Sequence, residues 1–323
     1  MSKTIGVIAG FLTPAHRAQL NAAAAKSGYA VRYFETSAEA LENVADCEIL
    51  YGHPSKKVLQ NAKGLKWFHC CWAGVDRLCD ETLYPDESCL LSNSSGCYGV
   101  TIAEHLVMVC LMLLRRQGEY TELIQSGGWA TLPGGIRSLR GSRVTVLGTG
   151  DIGTEFARRV RAFSPARLVG VRRTARPGDP AFDEVRALSD LDALLPETDL
   201  LVMCLPGTAE TAGLLDARRM ALLPQGAYVV NIGRASAIDQ DALLDALNTQ
   251  HLGGAALDVA DPEPLPAGHP LRAAKNLLLT PHVAGNTTLG YTCDKNVEQF
   301  CAELDRYAAG LPPVHLVDRK KGY

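Results

Sequence analysis

A chain of 323 residues with 47% apolar and 21% charged residues is long enough for two domains, each with its own core. A formal net charge of −3 gives no electrostatic reason to expect nucleic acid or an anionic membrane as a partner. The ten cysteines are scattered, apart from adjacent Cys70 and Cys71, and none has CxxC spacing; reduced thiols, a cytoplasmic location and no bound metal are therefore expected.

Met1-Ser2-Lys3 runs straight into an apolar, β-branched stretch at 4–8, which is not the profile of a secretory leader. Strand-like and helix-like segments then alternate, with strands at 4–8, 30–34, 47–51 and 66–70 and helices at 14–27, 38–43 and 55–62. Such alternation implies a parallel sheet covered on both faces. The longest strictly apolar run, 106–114, is far shorter than a bilayer span and falls in a predicted buried helix at 102–116, a candidate domain or subunit contact. Gly127-Gly128 and Pro133-Gly134-Gly135 break the chain. Strands are then predicted at 143–147, 167–171, 200–204, 227–231, 254–259 and 276–279, and helices at 190–195, 216–222 and 240–250. One long helix at 289–309 and a short tail at 312–317 follow; the economical arrangement returns that helix to the first α/β unit.

The segment from Val144 to Gly153 carries the clearest chemistry. A β-branched strand enters the turn Gly148-Thr149-Gly150-Asp151-Ile152-Gly153, and an amphipathic helix at 154–163 leaves it. The first two glycines permit a tight turn and close approach of a pyrophosphate, the third lets helix pack on strand, and the helix N-terminus offers free N–H groups. The next strand ends in Arg172-Arg173-Thr174, where a site for NAD would carry a carboxylate for the ribose hydroxyls. Two guanidiniums and a hydroxyl suit a 2′-phosphate instead, so NADP(H) is the expected cofactor, with NAD(H) possible.

Further motifs occur in order along the chain: Trp72-Ala73-Gly74-Val75-Asp76, Ala103-Glu104-His105, Leu205-Pro206 with Thr211, and Val230-Asn231-Ile232-Gly233-Arg234. Then come Ala256-Leu257-Asp258-Val259 with Glu263-Pro264, Thr280-Pro281-His282-Val283-Ala284-Gly285 and Lys321-Gly322-Tyr323. The chain resembles the D-isomer-specific 2-hydroxyacid dehydrogenases over essentially its whole length, and within them an NADP-preferring branch like the glyoxylate/hydroxypyruvate reductases. The resemblance implies an α/β protein in which a Rossmann dinucleotide-binding domain, 101–285, is inserted in a discontinuous flavodoxin-like substrate domain, 1–100 with 286–323. It also implies a homodimer and a small 2-keto or 2-hydroxy acid as substrate.

Reducing a keto acid requires a hydride at the carbonyl carbon and a proton at its oxygen. His282 is the natural proton donor, Glu263 can hydrogen-bond its other ring nitrogen, and Arg234 can bind the carboxylate and polarise the carbonyl. The resemblance assigns these three the same roles and gives the backbone of Ala73, Gly74 and Val75 to the substrate carboxylate. It places Gly148, Gly150, Asp151, Ile152, Gly153, Arg172, Arg173, Thr174, Pro206, Thr211, Ile232, Gly233, Asp258 and Gly285 around the cofactor, with Asp258 accepting from its carboxamide. Pocket size is expected to depend on how the loops near Tyr51, Trp72 and Tyr98 meet Trp129. Two alternatives share the fold: a nicotinamide-sensing corepressor and a short-type, NAD-dependent phosphoglycerate dehydrogenase.

Overall fold

The structure, a computed structural model, describes residues 3–175 and 179–322, so Met1, Ser2 and the Tyr323 of the last motif lie outside it. The chain divides into two compact units, Met1–Tyr98 with Asn286–Tyr323, and Gly99–Gly285.

In the first unit β1 (Lys3–Ile8), β2 (Tyr29–Tyr33), β3 (Ile49–Gly52), β4 (Trp67–Cys70) and β5 (Leu90–Asn93) form one parallel sheet in the order β2-β1-β3-β4-β5. This is the flavodoxin-like order. Parallel neighbours need crossovers, which α1 (Pro14–Lys26), α2 (Ser37–Asn43) and α3 (Lys56–Asn61) help supply. Thr13, Thr36 and Ser55 open these helices by accepting the backbone N–H three residues on. Side chains alternate across the sheet. Leu50, Phe68 and Leu91 pack with Val58 and Leu59 on one face; Ile49, Tyr51 and Trp67 pack with Leu20, Phe300 and Leu304 on the other. Phe300 and Leu304 belong to the long helix Gly290–Ala308, so the end of the chain completes the core of its beginning. Beyond that helix Leu316 bridges Ser92 antiparallel, extending the edge at β5.

A polar chain crosses this core. The Trp67 indole N–H donates to Ser92 Oγ at 2.8 Å, and His69 bridges Ser92 (Nδ1, 2.8 Å) and Ser94 (Nε2, 3.2 Å). His69 is fully buried, and burial pushes its imidazole down to about 3.

The second unit holds β6 (Arg143–Leu147), β7 (Arg167–Arg172), β8 (Glu184–Ala187), β9 (Leu200–Met203), β10 (Ala227–Asn231), β11 (Leu252–Leu257) and β12 (Leu277–Leu279). All pair in parallel in the order β12-β11-β10-β9-β6-β7-β8, the doubly wound Rossmann order with one further strand. Its helices are α4 (Gly99–Leu114), α5 (Gln117–Gln125), α6 (Asp151–Val160), α7 (Leu191–Leu194), α8 (Ala217–Leu222) and α9 (Gln240–Asn248). The expected arrangement of a Rossmann unit inserted in a discontinuous flavodoxin-like one is the arrangement observed.

Four elements differ from the sequence reading. The strands β5 and β8 and the helix α5 were not expected, and α4 begins at Gly99, ahead of 102. The Gly99 N–H donates to the Asp151 carboxylate at 2.7 Å, so the cap of α4 comes from a residue distant in sequence and leaves no local signal. The apolar surface of α4 packs against α6, β10 and β11 of its own unit. Among the described residues no helix is long and apolar enough to cross a membrane, and no cluster of His, Cys, Asp and Glu could hold a metal. All ten cysteines are free. Cys70 and Cys71 are buried core residues, and burial raises both thiols, Cys70 to about 12.

Candidate active site

The glycine loop connects β6 to α6. Gly148 turns at a φ of 100°, and a Cβ there would stand 2.7 Å from the Cys204 carbonyl oxygen. A Cβ on Gly153 would fall 1.9 Å from the Gly148 carbonyl oxygen, so only glycine allows α6 to start so close to β6. Gly150 differs: it is the N-cap of α6, and open space lies where its Cβ would stand. No side chain caps α6, which leaves its positive end to an anion. Two glycines that make the turn, and a third whose missing side chain leaves room, fit the pyrophosphate of a dinucleotide. Ile152 is half-buried beside them, whereas the Asp151 carboxylate is turned to the Gly99 N–H.

Arg172 ends β7, and Arg173 follows with its Nε 2.8 Å from Glu210 Oε2. Both partners of that pair are half-exposed, so it is a weak one. Glu210 lies in the loop after β9, and β6 separates β9 from β7, so the pair reaches across the strand that bears the glycine loop. Thr174 is exposed. In the same loop after β9 the buried Thr211 hydroxyl donates to the exposed Pro206 carbonyl at 2.7 Å and accepts the Thr208 N–H at 2.9 Å.

The strands β10, β11 and β12 lie side by side, and the segments leaving their C-terminal ends carry Arg234, Glu263 and His282. After β10, the Asn231 side chain accepts the Gly233 N–H at 3.0 Å and donates to the Arg234 carbonyl at 2.9 Å, closing the turn. Ile232 and Gly233 are buried, and a Cβ on Gly233 would stand 2.5 Å from the Leu205 carbonyl oxygen. Arg234 is half-buried, with its stem over Gly207.

Asp258, the first residue past β11, is only 3% exposed. Its Oδ1 accepts the Thr280 hydroxyl at 2.6 Å and the Val283 N–H at 2.9 Å, and its Oδ2 accepts the Ala284 N–H at 2.9 Å. Its own carbonyl accepts the His282 N–H at 2.8 Å. Three successive N–H groups thus converge on one aspartate, and His282 adopts a left-handed φ of 54° where they do so. That conformation costs a non-glycine residue about 1 kcal/mol or more, which the converging bonds offset. A carboxylate offers roughly four lone-pair positions, so one on Oδ2 remains for an outside donor such as a carboxamide. Gly285, half-buried, follows this loop.

Glu263 Oε2 stands 3.0 Å from His282 Nδ1, and Glu263 Oε1 accepts the Ala260 N–H at 3.0 Å. His282 is half-exposed, and among the described residues its Nε2 has no partner. This imidazole can therefore hold a proton on Nε2 toward a ligand while Nδ1–H donates to a carboxylate. A second imidazole, His105 of α4, lies 3.4 Å from the Thr280 hydroxyl. Burial lowers its pKa, with Asp258 acting weakly the other way, so it is a neutral packing partner of the loop.

In the first unit Ala73, Gly74 and Val75 follow β4. The Ala73 carbonyl accepts from the Asn93 amide at 2.7 Å, Gly74 is exposed and Val75 is buried. Trp72 is half-buried between His53 and Tyr98, with ring centroids 5.7 and 6.1 Å away. Tyr51 and Tyr98, beside the loops expected to set pocket size, are themselves buried core residues. Tyr51 stacks on Phe300 at 4.2 Å and the Tyr98 hydroxyl donates to the Cys71 carbonyl at 2.5 Å. Trp129 is 92% exposed. Asn231, Thr280 and Gln240 (described below) support the site and were not anticipated; the Asn-x-Gly spacing of Asn231 and Gly233 is an Asx-turn signal that could have found the first.

Residues 107–284 match the family model described as D-isomer specific 2-hydroxyacid dehydrogenase, NAD binding domain. A glyoxylate/hydroxypyruvate reductase A of Citrobacter koseri is 31% identical over 282 residues, covering 85% of this chain and 86% of that one. A solved D-isomer specific 2-hydroxyacid dehydrogenase family protein from Aeromonas salmonicida superimposes with a TM-score of 0.86 at 31% identity, covering 99% of this chain and 100% of the other. An NADPH-dependent glyoxylate/hydroxypyruvate reductase from Sinorhizobium meliloti, solved with NADP and sulfate, gives a TM-score of 0.83 at 26% identity over 99% of this chain and 100% of its own.

Proposed function

The chain belongs to the D-isomer specific 2-hydroxyacid dehydrogenase family, and from that premise we propose that it reduces small 2-keto acids of the glyoxylate and hydroxypyruvate class with NADPH in preference to NADH. As a member it is an oxidoreductase that moves a hydride between a nicotinamide cofactor and a 2-keto or 2-hydroxy acid. The observation that carries the assignment of residues is the Glu263–His282 contact of 3.0 Å on a loop fixed by Asp258. The bound nicotinamide supplies the hydride. His282 delivers the Nε2 proton to the carbonyl oxygen, and Glu263 keeps Nδ1–H in place throughout. Arg234 binds the substrate carboxylate and stabilises the negative charge that builds on the oxygen. As the resemblance implies, the backbone of Ala73, Gly74 and Val75 in the first unit also serves substrate binding, a role that Gly74 suits by being exposed and lacking a side chain.

Gly148, Gly150, Ile152 and Gly153 hold the pyrophosphate at the start of α6, while Pro206, Thr211, Ile232, Gly233, Asp258 and Gly285 line the nicotinamide side. What supports NADPH is Arg172, Arg173 and Thr174 at the end of β7, a strand end whose own sequence carries no Asp or Glu, although Glu210 of the loop after β9 pairs with Arg173. Asp151 serves mainly by fixing the start of α4 beside the glycine loop. The expected homodimer finds support in the exposed Met108, Ile124, Trp129 and Ile136 of the second unit, surface that a second copy would cover. Ten free thiols suit a reducing, cytoplasmic setting.

The test follows oxidation of NADPH and NADH separately with glyoxylate, hydroxypyruvate, pyruvate and bulkier keto acids. The expected result is turnover with the small acids and NADPH, lost by a factor of about 10² or more in His282→Gln. Equal use of NADH would remove the arginine argument, and turnover by His282→Gln would remove the proton donor. Light scattering on Trp129→Glu tests the dimer: an unchanged dimer mass would exclude that surface.

A further inference from the structure

Glu263 is carried by a loop rather than by a helix or strand, and one side chain ties that loop to the body of the second unit. The Gln240 amide donates from Nε2 to the Asp261 carbonyl at 2.6 Å, and its Oε1 accepts the Asp261 N–H at 3.1 Å. Both backbone groups of one residue are thus taken by one side chain, as a neighbouring strand would take them. The adjoining Ala260 N–H donates to Glu263 Oε1, and Glu263 Oε2 meets His282 Nδ1. Gln240 itself stands on firm ground. It is the first residue of α9, Asp239 caps that helix by accepting the Asp241 and Ala242 N–H groups, and Leu243 and Leu247 anchor it in the core.

We propose that Gln240 is a positioning residue for the reaction: it clamps the backbone of Asp261 so that the Glu263 carboxylate stays against His282. The proposal rests on the reading of His282 as proton donor supported by Glu263. Asp261 is exposed, so water can satisfy its backbone groups when the clamp is lost. Stability then changes little, and the loss falls on the orientation of the imidazole. Gln240 touches neither His282 nor the glycine loop through any of these bonds, so cofactor binding should not depend on it.

The experiment uses the full-length protein with NADPH and glyoxylate. Gln240→Met keeps the apolar stem and removes both bonds. Gln240→Glu keeps the acceptor but turns a carboxylate oxygen against the Asp261 carbonyl, so it serves as an independent second variant. Each is expected to lower kcat about tenfold, within the roughly 10² that misplacement can cost, while leaving KM for glyoxylate within about twofold. The Kd for NADPH should stay within about twofold. In a Glu263→Gln background, the same substitutions should change kcat by less than about twofold, because the group they position is already gone. An unchanged kcat would overturn the proposal. So would an equal loss in the Glu263→Gln background, or a fall in Tm as the only effect. If Glu263→Gln and His282→Gln themselves turn over normally, the reading of the site fails first, and that failure is visible without any Gln240 variant.

Discussion

Asp258→Asn is the substitution that most directly tests how the His282 loop is held. The side chain keeps its shape, but one acceptor oxygen becomes an NH₂ group. Whichever way the amide is turned, a donor then faces Ala284 N–H on one side, or Val283 N–H and the Thr280 hydroxyl on the other. Losing a charge-assisted hydrogen bond costs roughly 1.5–3 kcal/mol, and stranding a buried N–H costs roughly 1–3 kcal/mol; the two overlap, so about 3 kcal/mol is expected. For a domain the size of Gly99–Gly285 this corresponds to a Tm lower by about 6–12 °C. Calorimetry on the purified variant reads that shift, and kcat with glyoxylate reads the accompanying displacement of His282. A Tm within about 2 °C of the parent would refute the anchoring argument. A lowered Tm with unaltered kcat would refute its positional half, leaving Asp258 a stabilising residue only.

The glycine loop separates by site. Gly153→Ala places a Cβ 1.9 Å from the Gly148 carbonyl oxygen and should lower Tm sharply, whereas Gly150→Ala meets nothing. Gly150→Ala should therefore leave Tm within about 2 °C and weaken NADPH about tenfold or more, since its Cβ intrudes only on a pyrophosphate; normal binding by that variant would move the pyrophosphate elsewhere. At the end of β7, Glu210→Gln removes one exposed ion pair of Arg173, worth about 0.2–1 kcal/mol, so NADPH should tighten by up to about fivefold and NADH should not move, as read by fluorescence titration. Weaker NADPH binding in that variant would show that Glu210 orients Arg173 rather than competing for it. His69, held neutral by burial, should show ring proton resonances that do not titrate between about pH 8 and pH 5. Its folded pKa lies below its unfolded one, so its contribution to stability is present at high pH and is lost as pH falls below about 6.5. The loss is about 2 kcal/mol at about pH 5. A midpoint above about pH 5 would show that the ring is reached by water.

How far a sequence reveals such a molecule depends on where each element gets its support. Buried parallel strands such as β9, and β10 up to its terminal Asn231, are apolar because both faces are covered, and they stand out against polar turns. The edge strand β8, Glu184–Ala187, does not: it is polar and half-exposed, and the Arg167–Glu184 ion pair ties it to its neighbour. The strand β5 was obscured by Ser92 and Asn93, whose polarity suits a loop until Trp67 and His69 are seen to need Ser92 as a partner. Tyr51 was misplaced for a related reason. The register that puts it beside His69 is visible, but the Phe300 ring that covers it comes from the far end of the chain. The start of α4 escaped because its cap is Asp151, which the same spacing marks as part of the glycine loop.

The motifs themselves were legible for a physical reason that reaches past the three polar residues they advertise. Each of two catalytic candidates follows a residue whose side chain shapes the loop that bears it: Asn231 closes the turn into Arg234, and Asp258 gathers the N–H groups of 282 to 284 through its carbonyl and carboxylate. Asn231 acts on backbone two and three residues on, so that spacing is set by the turn itself, whereas Asp258 acts across one strand, from the end of β11 to the segment leaving β12. Glu263 is the exception. Its loop is tied by Gln240, the first residue of α9, which precedes β11 in the chain. In the sequence Gln240 reads only as the start of a helix, and the fold shows which loop its side chain reaches.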